Sequence, residues 1–153
     1  MELRRDDQTP VTPQPAPRPV VPDLAGFLVR LRQAFSDFDV ATLCGLHVAP
    51  MTVLDEAGST WLADADAVRA WWEARVAGYR AAGIGEVRAE TLAHRILGGA
   101  HAEANVTWSL RRRDGSRFCR FHATYLIRLD GKPRIAFAAI HDERRNWPDG
   151  ETI

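Results

Sequence analysis

Two Asp-Gly pairs, Asp114-Gly115 and Asp130-Gly131, separate three long runs of β-branched, aromatic and small apolar residues between positions 91 and 142. An Asp-Gly pair between alternating runs is the strongest local sign of a β-hairpin, because the central residues of the favoured tight turns take positive φ. The segment therefore predicts an antiparallel sheet. A two-residue turn at Asp114-Gly115 predicts four cross-strand pairs on an apolar face: Trp108 with Phe121, Leu110 with Cys119, Val106 with Ala123, and Ala104 with Tyr125.

The opposite face of this hairpin is polar. The same register pairs Asn105 with Thr124, Thr107 with His122, and Ser109 with Arg120. A slip by one residue would mix the two sets, because side chains alternate between the faces of a strand.

The turns on either side extend the apolar face to four strands. A three-residue loop at Leu129-Asp130-Gly131, with Gly131 as a left-handed bulge, predicts these pairs: Tyr125 with Ile135, Ala123 with Phe137, Phe121 with Ala139, and Cys119 with His141. A tight turn at Gly98-Gly99 predicts Ala89 opposite Trp108, Thr91 opposite Val106, and Ala93 opposite Ala104.

The chain divides into an arm, one domain and a tail. Residues 1–22 contain six prolines among small and polar residues, which predicts a flexible, extended arm, a proline-rich ligand for another protein, or an arm that crosses to a second subunit. The whole chain, with 153 residues and 46% hydrophobic content, suits a single domain with one core. We place the domain at residues 23–145 and a C-terminal tail at 146–153.

Helical patterns dominate the first half of the domain. Asp23 is the predicted N-cap of a helix that runs to about Asp37, and a short helix follows at 40–46. A hairpin over 51–62 precedes a helix that begins at Asp64 or Asp66 and ends near Ala82. One broad face of that helix carries residues at three- and four-residue spacing: Val68, Trp71, Trp72, Arg75, Val76 and Tyr79.

This order of elements resembles the nuclear transport factor 2-like superfamily, which includes SnoaL-like polyketide cyclases, ketosteroid isomerases and limonene epoxide hydrolases. The resembling positions are the first long helix over 27–38, the segment VLDEAGSTWLADADAVRAWWEARVAGY, and the closing strands FHATYLIRLDGKPRIAFAAIHDE. Together they span residues 23–143.

The resemblance implies an α+β, cone-shaped fold. A strongly bent antiparallel sheet would pack on the N-terminal helices and leave a central pocket between them. It also implies a homodimer formed through the outer sheet face, where Arg88, Glu90, Glu103, Arg120 and His122 could pair across a two-fold axis.

The catalytic residues of these relatives are not reproduced. Steroid isomerisation uses a tyrosine, a neutral carboxylic acid and a carboxylate base. The predicted apolar face offers Tyr125 but no carboxylate. The Asp-Arg-Asp set of epoxide hydrolysis is not reproduced either, because the predicted register does not place Asp55 or Asp142 inside with Arg75.

His141 and Tyr125 are the catalytic candidates. Imidazole titrates near neutral pH, and the predicted register places His141 on the apolar face as a general acid or base. The structural alternative is a histidine at the sheet edge that bonds a backbone carbonyl or Asp142. Tyr125 would direct its hydroxyl into the pocket, or pack with its oxygen at the surface.

The candidate substrate-binding residues are mostly aromatic: Trp72, Tyr79, Trp108, Phe121 and Phe137, together with Arg75. Arg75 would bind a carbonyl or anionic oxygen in the pocket. Alternatively, its guanidinium would extend to solvent at the rim of the pocket or pair with a carboxylate. The aromatic side chains would line a flat apolar ligand site, or serve only as core walls.

Composition argues against several other functions. Twenty basic and twenty acidic residues balance, which gives no reason to expect nucleic acid or an anionic membrane as a partner. The five histidines lack metal-ligand spacing, so we expect neither a metal nor another cofactor. The absence of a membrane span or signal peptide favours a cytoplasmic protein.

The sequence thus leaves two functions open. One is a SnoaL-like enzyme of the isomerase, cyclase or hydrolase type that acts on an apolar carbonyl compound in the cone pocket. The other is a non-catalytic module for ligand binding or dimerisation, and a proline-rich arm that docks a partner would be compatible with it.

Overall fold

The computed structural model describes residues 23–143 and 145–148, so the predicted arm and residues 149–153 of the predicted tail lie outside it. The elements are α1 (Leu24–Ser36), α2 (Val40–Gly45), β1 (His47–Asp55), β2 (Gly58–Leu62), α3 (Ala65–Ala81), β3 (Ile84–Leu97), β4 (His101–Arg112), β5 (Arg117–Arg128) and β6 (Arg134–His141). The predicted α+β class and the order of its elements are confirmed.

Each helix begins at an aspartate. The side chains of Asp23, Asp39 and Asp64 accept hydrogen bonds from backbone N–H groups three residues later. These bonds satisfy donors that have no partner inside the first helical turn. Asp64 rather than Asp66 is therefore the cap of α3.

The sheet has six strands in the order β2-β1-β6-β5-β4-β3. The predicted antiparallel meander from β3 to β6 is present, and β1 joins it in parallel to β6. The inner face of the sheet packs against the helices, and the opposite, outer face is turned away from them.

The register predicted for β4 and β5 is confirmed. Trp108 lies opposite Phe121 and Ala104 lies opposite Tyr125, while Thr107 lies opposite His122 on the outer face. The pairing shifts beyond Leu110, close to the turn at Asp114-Gly115.

The register predicted for β3 is correct only at Ala89, which lies opposite Trp108. Glu90 is an extra, bulged residue, so Thr91 pairs with Thr107 instead of Val106. Ala93 correspondingly pairs with Asn105 instead of Ala104. One inserted residue reverses the face of every residue after it.

The register predicted for β5 and β6 is wrong for two separate reasons. The loop between the paired residues Arg128 and Arg134 spans 129–133, two residues more than predicted. Leu129 continues the pairing with β4 by donating its N–H to Ala100 O at 2.9 Å. That lengthening preserves the faces. Ala136 is then a bulge between Ile135 and Phe137, and it reverses them.

Phe137 and His141 consequently lie on the outer face. Phe137 pairs with Leu126, and His141 pairs with His122 and is exposed. Ala138 and Ile140 take the inner positions that the sequence analysis gave to their neighbours.

An aromatic cluster joins the sheet to the helices. The ring of Phe35 in α1 makes edge contacts with Trp108 in β4 and Trp72 in α3, at centroid distances of 4.9 and 5.5 Å. Phe35, Trp72 and Trp108 are all at most 5% exposed. This cluster sets the distance between α3 and the inner face.

The β5–β6 register can be tested by disulfide trapping. Paired Cα atoms lie about 4.5–5.5 Å apart, which a disulfide can bridge. The double variant His122→Cys/His141→Cys should form an intramolecular crosslink on mild oxidation, measured by thiol alkylation and mass spectrometry. His141→Cys alone should keep its thiols free. A crosslink from the single variant to Cys119 would instead support the three-residue loop.

Candidate functional site

A small cleft lies between α3 and the inner sheet face. Its free volume is about 10 Å³, close to the space that one water molecule requires. The predicted central pocket is therefore almost filled by side chains. The cleft is lined by Phe35, His47, Met51, Trp71, Trp72, Arg75, Phe121, Tyr125, Ala138 and Ile140.

Tyr125 presents a neutral hydroxyl to this cleft. Trp108 donates its indole N–H to the Tyr125 hydroxyl oxygen at 3.0 Å, which holds the ring in place. Burial raises the pKa of Tyr125 to about 12. The hydroxyl thus keeps its proton at neutral pH and can donate it in a hydrogen bond.

Two buried donors beside the cleft have no hydrogen-bond partner among the described residues. They are Trp72 Nε1 and Arg75 Nε. A buried donor without a partner costs about 1–3 kcal/mol relative to a satisfied one. Both groups would gain from an acceptor that entered the cleft.

Arg75 forms a buried cluster with Tyr79 and Glu143. Its Nη2 atom donates to Glu143 Oε2 at 2.5 Å and to the Tyr79 hydroxyl at 2.9 Å, and that hydroxyl donates to Glu143 Oε1. Burial alone would lower the pKa of Arg75, but the Glu143 carboxylate raises it, so the guanidinium stays charged. Burial raises the pKa of Tyr79 well above its usual value.

Trp71 covers the other side of the guanidinium. The Arg75 Cζ atom lies 4.5 Å from the Trp71 ring centroid, a cation–π contact. Trp71 also meets Trp72 edge-on at 5.0 Å and is only half-buried. It is the wall of the cleft nearest to solvent.

His47 is a cleft residue that the sequence analysis passed over. It is 6% exposed, and its Nδ1 atom lies 2.6 Å from Leu43 O. A carbonyl only accepts, so Nδ1 carries the proton and Nε2 is the free acceptor. Burial lowers the pKa of His47 to about 4, which keeps the imidazole neutral.

The predicted site residues therefore separate into groups. Arg75, Trp72, Tyr125 and Phe121 line the cleft, whereas Tyr79 and Trp108 are buried beside it. Placing Phe137 and His141 in the pocket was wrong, because the Ala136 bulge turns both to the outer face.

Two residues of the candidate site were missed for different reasons. His47 lies between Leu46 and Val48 at a helix-to-strand junction, and its apolar neighbours are the feature of the sequence that could have indicated its burial. Glu143 lies 68 positions from its partner Arg75, and nothing local indicates that pairing. The alternative that Arg75 pairs with a carboxylate is the one that the structure contains.

These groups favour hydrogen bonding over proton transfer. A histidine with a pKa of about 4 is a weak base, and burial raises the pKa of the Cys119 thiol to about 12. The charge of Arg75 is already balanced by Glu143. The cleft thus offers the donors Arg75 and Trp72, the acceptor His47, and the hydroxyl of Tyr125.

Over the described ranges, no three His, Cys, Asp or Glu side chains are grouped to hold a metal ion. The helices of this part of the chain also include none that combines the length and apolarity of a membrane span.

The chain belongs to a family of NTF2-like proteins, DUF6841, whose profile matches residues 24–143. The resemblance inferred from the sequence is therefore confirmed at the level of the superfamily. No curated protein matches the chain.

Solved structures share the fold at low sequence identity. An NTF2-like protein of unknown function from Pseudomonas putida KT2440 superposes with a TM-score of 0.63 and 16% identity, over 84% of this chain and 93% of that one. Another NTF2-like protein of unknown function, from Shewanella oneidensis MR-1, gives 0.62 and 16%, over 78% and 97%. A putative calcium/calmodulin-dependent protein kinase type II association domain from Thiobacillus denitrificans ATCC 25259 gives 0.63 and 17%, over 80% and 97%.

The buried state of His47 predicts a pH dependence of stability. In the unfolded chain His47 takes up a proton below its usual pKa of 6.5, whereas in the folded protein it does so only near pH 4. The contribution of neutral His47 to the free energy of unfolding is therefore fully present above pH 6.5 and is lost as the pH falls toward 4. Between pH 7.5 and 5 the expected loss in the free energy of unfolding from this residue is about 2 kcal/mol.

Urea titrations at both pH values measure this loss. His47→Asn keeps a donor for the Leu43 carbonyl but cannot titrate, so it should show a smaller loss than the wild type. The exposed control His94→Asn should behave like the wild type. Equal losses in all three proteins would show that folded His47 is protonated like a solvated histidine.

Proposed function

We propose that the protein binds a small, flat, apolar carbonyl compound in the cleft between α3 and the sheet. The observation that carries this proposal is the pair of buried donors, Trp72 Nε1 and Arg75 Nε, that lack partners among the described residues beside a mainly apolar cleft. A carbonyl oxygen would satisfy either donor, and the rings of Phe35 and Phe121 would contact the apolar part of the ligand.

Entry of such a ligand requires a side chain to move, because the free volume is only about 10 Å³. Trp71 is the suitable one. It is half-buried, and its ring lies over Arg75 at the outer side of the cleft. The bound state would then be a minor conformation that the ligand stabilises.

Binding is a better proposal than catalysis for this geometry. A SnoaL-like enzyme of the isomerase, cyclase or hydrolase type would need a proton shuttle, and His141 is exposed on the outer face. His47 is the remaining base that lines the cleft in the described part of the chain, but its low pKa makes it a weak one. Catalysis by His47 is therefore the second candidate.

Acetophenone and α-methylstyrene test the binding proposal, because they share a shape and differ in the carbonyl oxygen. Acetophenone should shift the Trp72 indole N–H in ¹H–¹⁵N spectra and bind more tightly than α-methylstyrene. Trp72→Phe should reduce that preference about five-fold, the equivalent of one net hydrogen bond of about 1 kcal/mol. Trp61→Phe, on the outer face, is the matched control.

Equal binding of the two compounds without a shift at Trp72 would contradict the proposal. Incubation of acetophenone with the protein in D₂O distinguishes catalysis of proton transfer from binding alone. Deuterium exchange into the methyl group of acetophenone that disappears in His47→Asn would favour the enzyme.

We also propose that the chain forms a homodimer through the outer sheet face. Four apolar side chains form an outer apolar band there: Trp61 (64% exposed), Leu54 (39%), Leu126 (37%) and half-buried Phe137. The charged residues first expected to pair between subunits already pair within the chain, as in Glu90 with Arg120 at 2.8 Å and Glu103 with Arg95 at 3.0 Å. Apolar contact thus supports the proposal better than charge.

Light scattering coupled to size-exclusion chromatography tests the dimer. The wild type should have the mass of two chains, and Trp61→Glu should have the mass of one because it places a charge in the outer apolar band. Val29→Glu is the control, since Val29 is 54% exposed on α1. A wild type with the mass of a single chain would contradict the proposal.

A further inference from the structure

The C-terminal strap, defined here as residues 142, 143 and 145–148, leads from the end of β6 to α3. Glu143 enters the core and is 4% exposed, with its carboxylate on Arg75 and Tyr79. Trp147 packs edge-on against Phe118 at 4.8 Å and lies 6.3 Å from the Tyr79 ring. The strap thus inserts a carboxylate and an indole, four positions apart, beside the same tyrosine.

The buried ion pair between Arg75 and Glu143 contributes little net stability to the attachment of the strap. The desolvation of two charges offsets most of their attraction, and apolar residues in their place are often equally or more stabilising. Arg75 also stands in an otherwise apolar stripe of α3, between Trp72 and Val76. Stability alone therefore does not explain this arginine.

The contact between Arg75 and Glu143 is incomplete. An arginine binds a carboxylate most strongly through two parallel N–H groups. Glu143 takes only Nη2, and the adjacent Nε is buried without a partner among the described residues. The side of the guanidinium that offers Nε and Nη2 together is suited to a carboxylate that can approach more freely than Glu143.

The strap combines favourable contacts with unfavourable ones. Asn146 donates to Arg120 O at 2.6 Å, but the Trp147 indole N–H is buried without a partner in the described chain. Asp142 has a positive φ of 65°, a left-handed conformation that aspartate adopts more readily than most residues but at a higher energy than glycine. Opening of the strap relieves the unfavourable features at Asp142 and Trp147.

We propose that Arg75 and Tyr79 form a binding site for an arylalkyl carboxylate, and that Glu143 and Trp147 of the strap occupy this site in its absence. The carboxylate replaces that of Glu143 and uses both Nε and Nη2 of Arg75. The aromatic ring replaces Trp147 against Phe118. The strap is thereby an internal competitor of the ligand. The apparent affinity for the ligand equals the intrinsic affinity multiplied by the fraction of molecules in which the strap is open.

This site goes beyond the proposed function and does not depend on it. Tyr79, Phe118 and Glu143 are outside the lining of the carbonyl cleft, and Arg75 is the residue common to both. The probes also differ, since acetophenone carries no charge. Binding of either probe without the other would therefore separate the two proposals.

Isothermal titration of the full chain with indole-3-propionate tests the proposal. Glu143→Gln removes the competing charge at nearly constant volume, and it should bind indole-3-propionate at least ten-fold more tightly than the wild type. Indole-3-propionamide, which lacks the charge, should gain much less. Adding Arg75→Met to Glu143→Gln should abolish the gain.

Circular dichroism first establishes whether Glu143→Gln is folded, because it leaves Arg75 without a charged partner. A second variant covers the case in which it is not. Trp147→Ala weakens the strap but keeps the ion pair, and it should bind the carboxylate at least three-fold more tightly than the wild type.

The proposal is overturned if folded Glu143→Gln binds the carboxylate no better than the wild type, or if the amide gains equally. Should Glu143→Gln not fold, unchanged affinity of Trp147→Ala would overturn it.

Discussion

The contact between the aromatic cluster of the helices and the inner sheet face is the constraint on which the rest of the structure depends. Phe35 lies between Trp108 of the sheet and Trp72 of α3, so the three rings fix how closely that helix approaches the strands. Because this packing is tight, the cleft beside it has the volume of about one water molecule. A ligand of the proposed site would therefore have to enter a nearly filled interior, and its binding would require a conformational change.

The polar groups of the interior are arranged along one helix. Arg75 and Tyr79 are one turn apart on α3, and Trp71 and Trp72 flank the same stripe. The guanidinium thus lies between the cleft on one side and Glu143 on the other. A ligand that bound Arg75 on either side would therefore interact with the same charge.

Local patterns in the sequence predict the helices, their aspartate caps and the hairpin of β4 and β5, because each depends on residues close together in the chain. They do not predict the bulges at Glu90 and Ala136, since neither residue has a conformational requirement that marks it. A single bulge reverses the side-chain alternation, and this is why His141 was expected in the cleft. The pairing of Arg75 with Glu143 required the folded chain, because only tertiary structure brings α3 to the end of β6.

The bulge at Glu90 has a consequence for association between molecules. β3 is a long strand at the free edge of the sheet, and such an edge can recruit the strand of another chain. The extra residue interrupts the regular row of backbone donors and acceptors, and Arg120 holds the Glu90 carboxylate across the neighbouring strand at 2.8 Å. We therefore expect the bulge at Glu90 to hinder pairing of this edge with the strand of another chain.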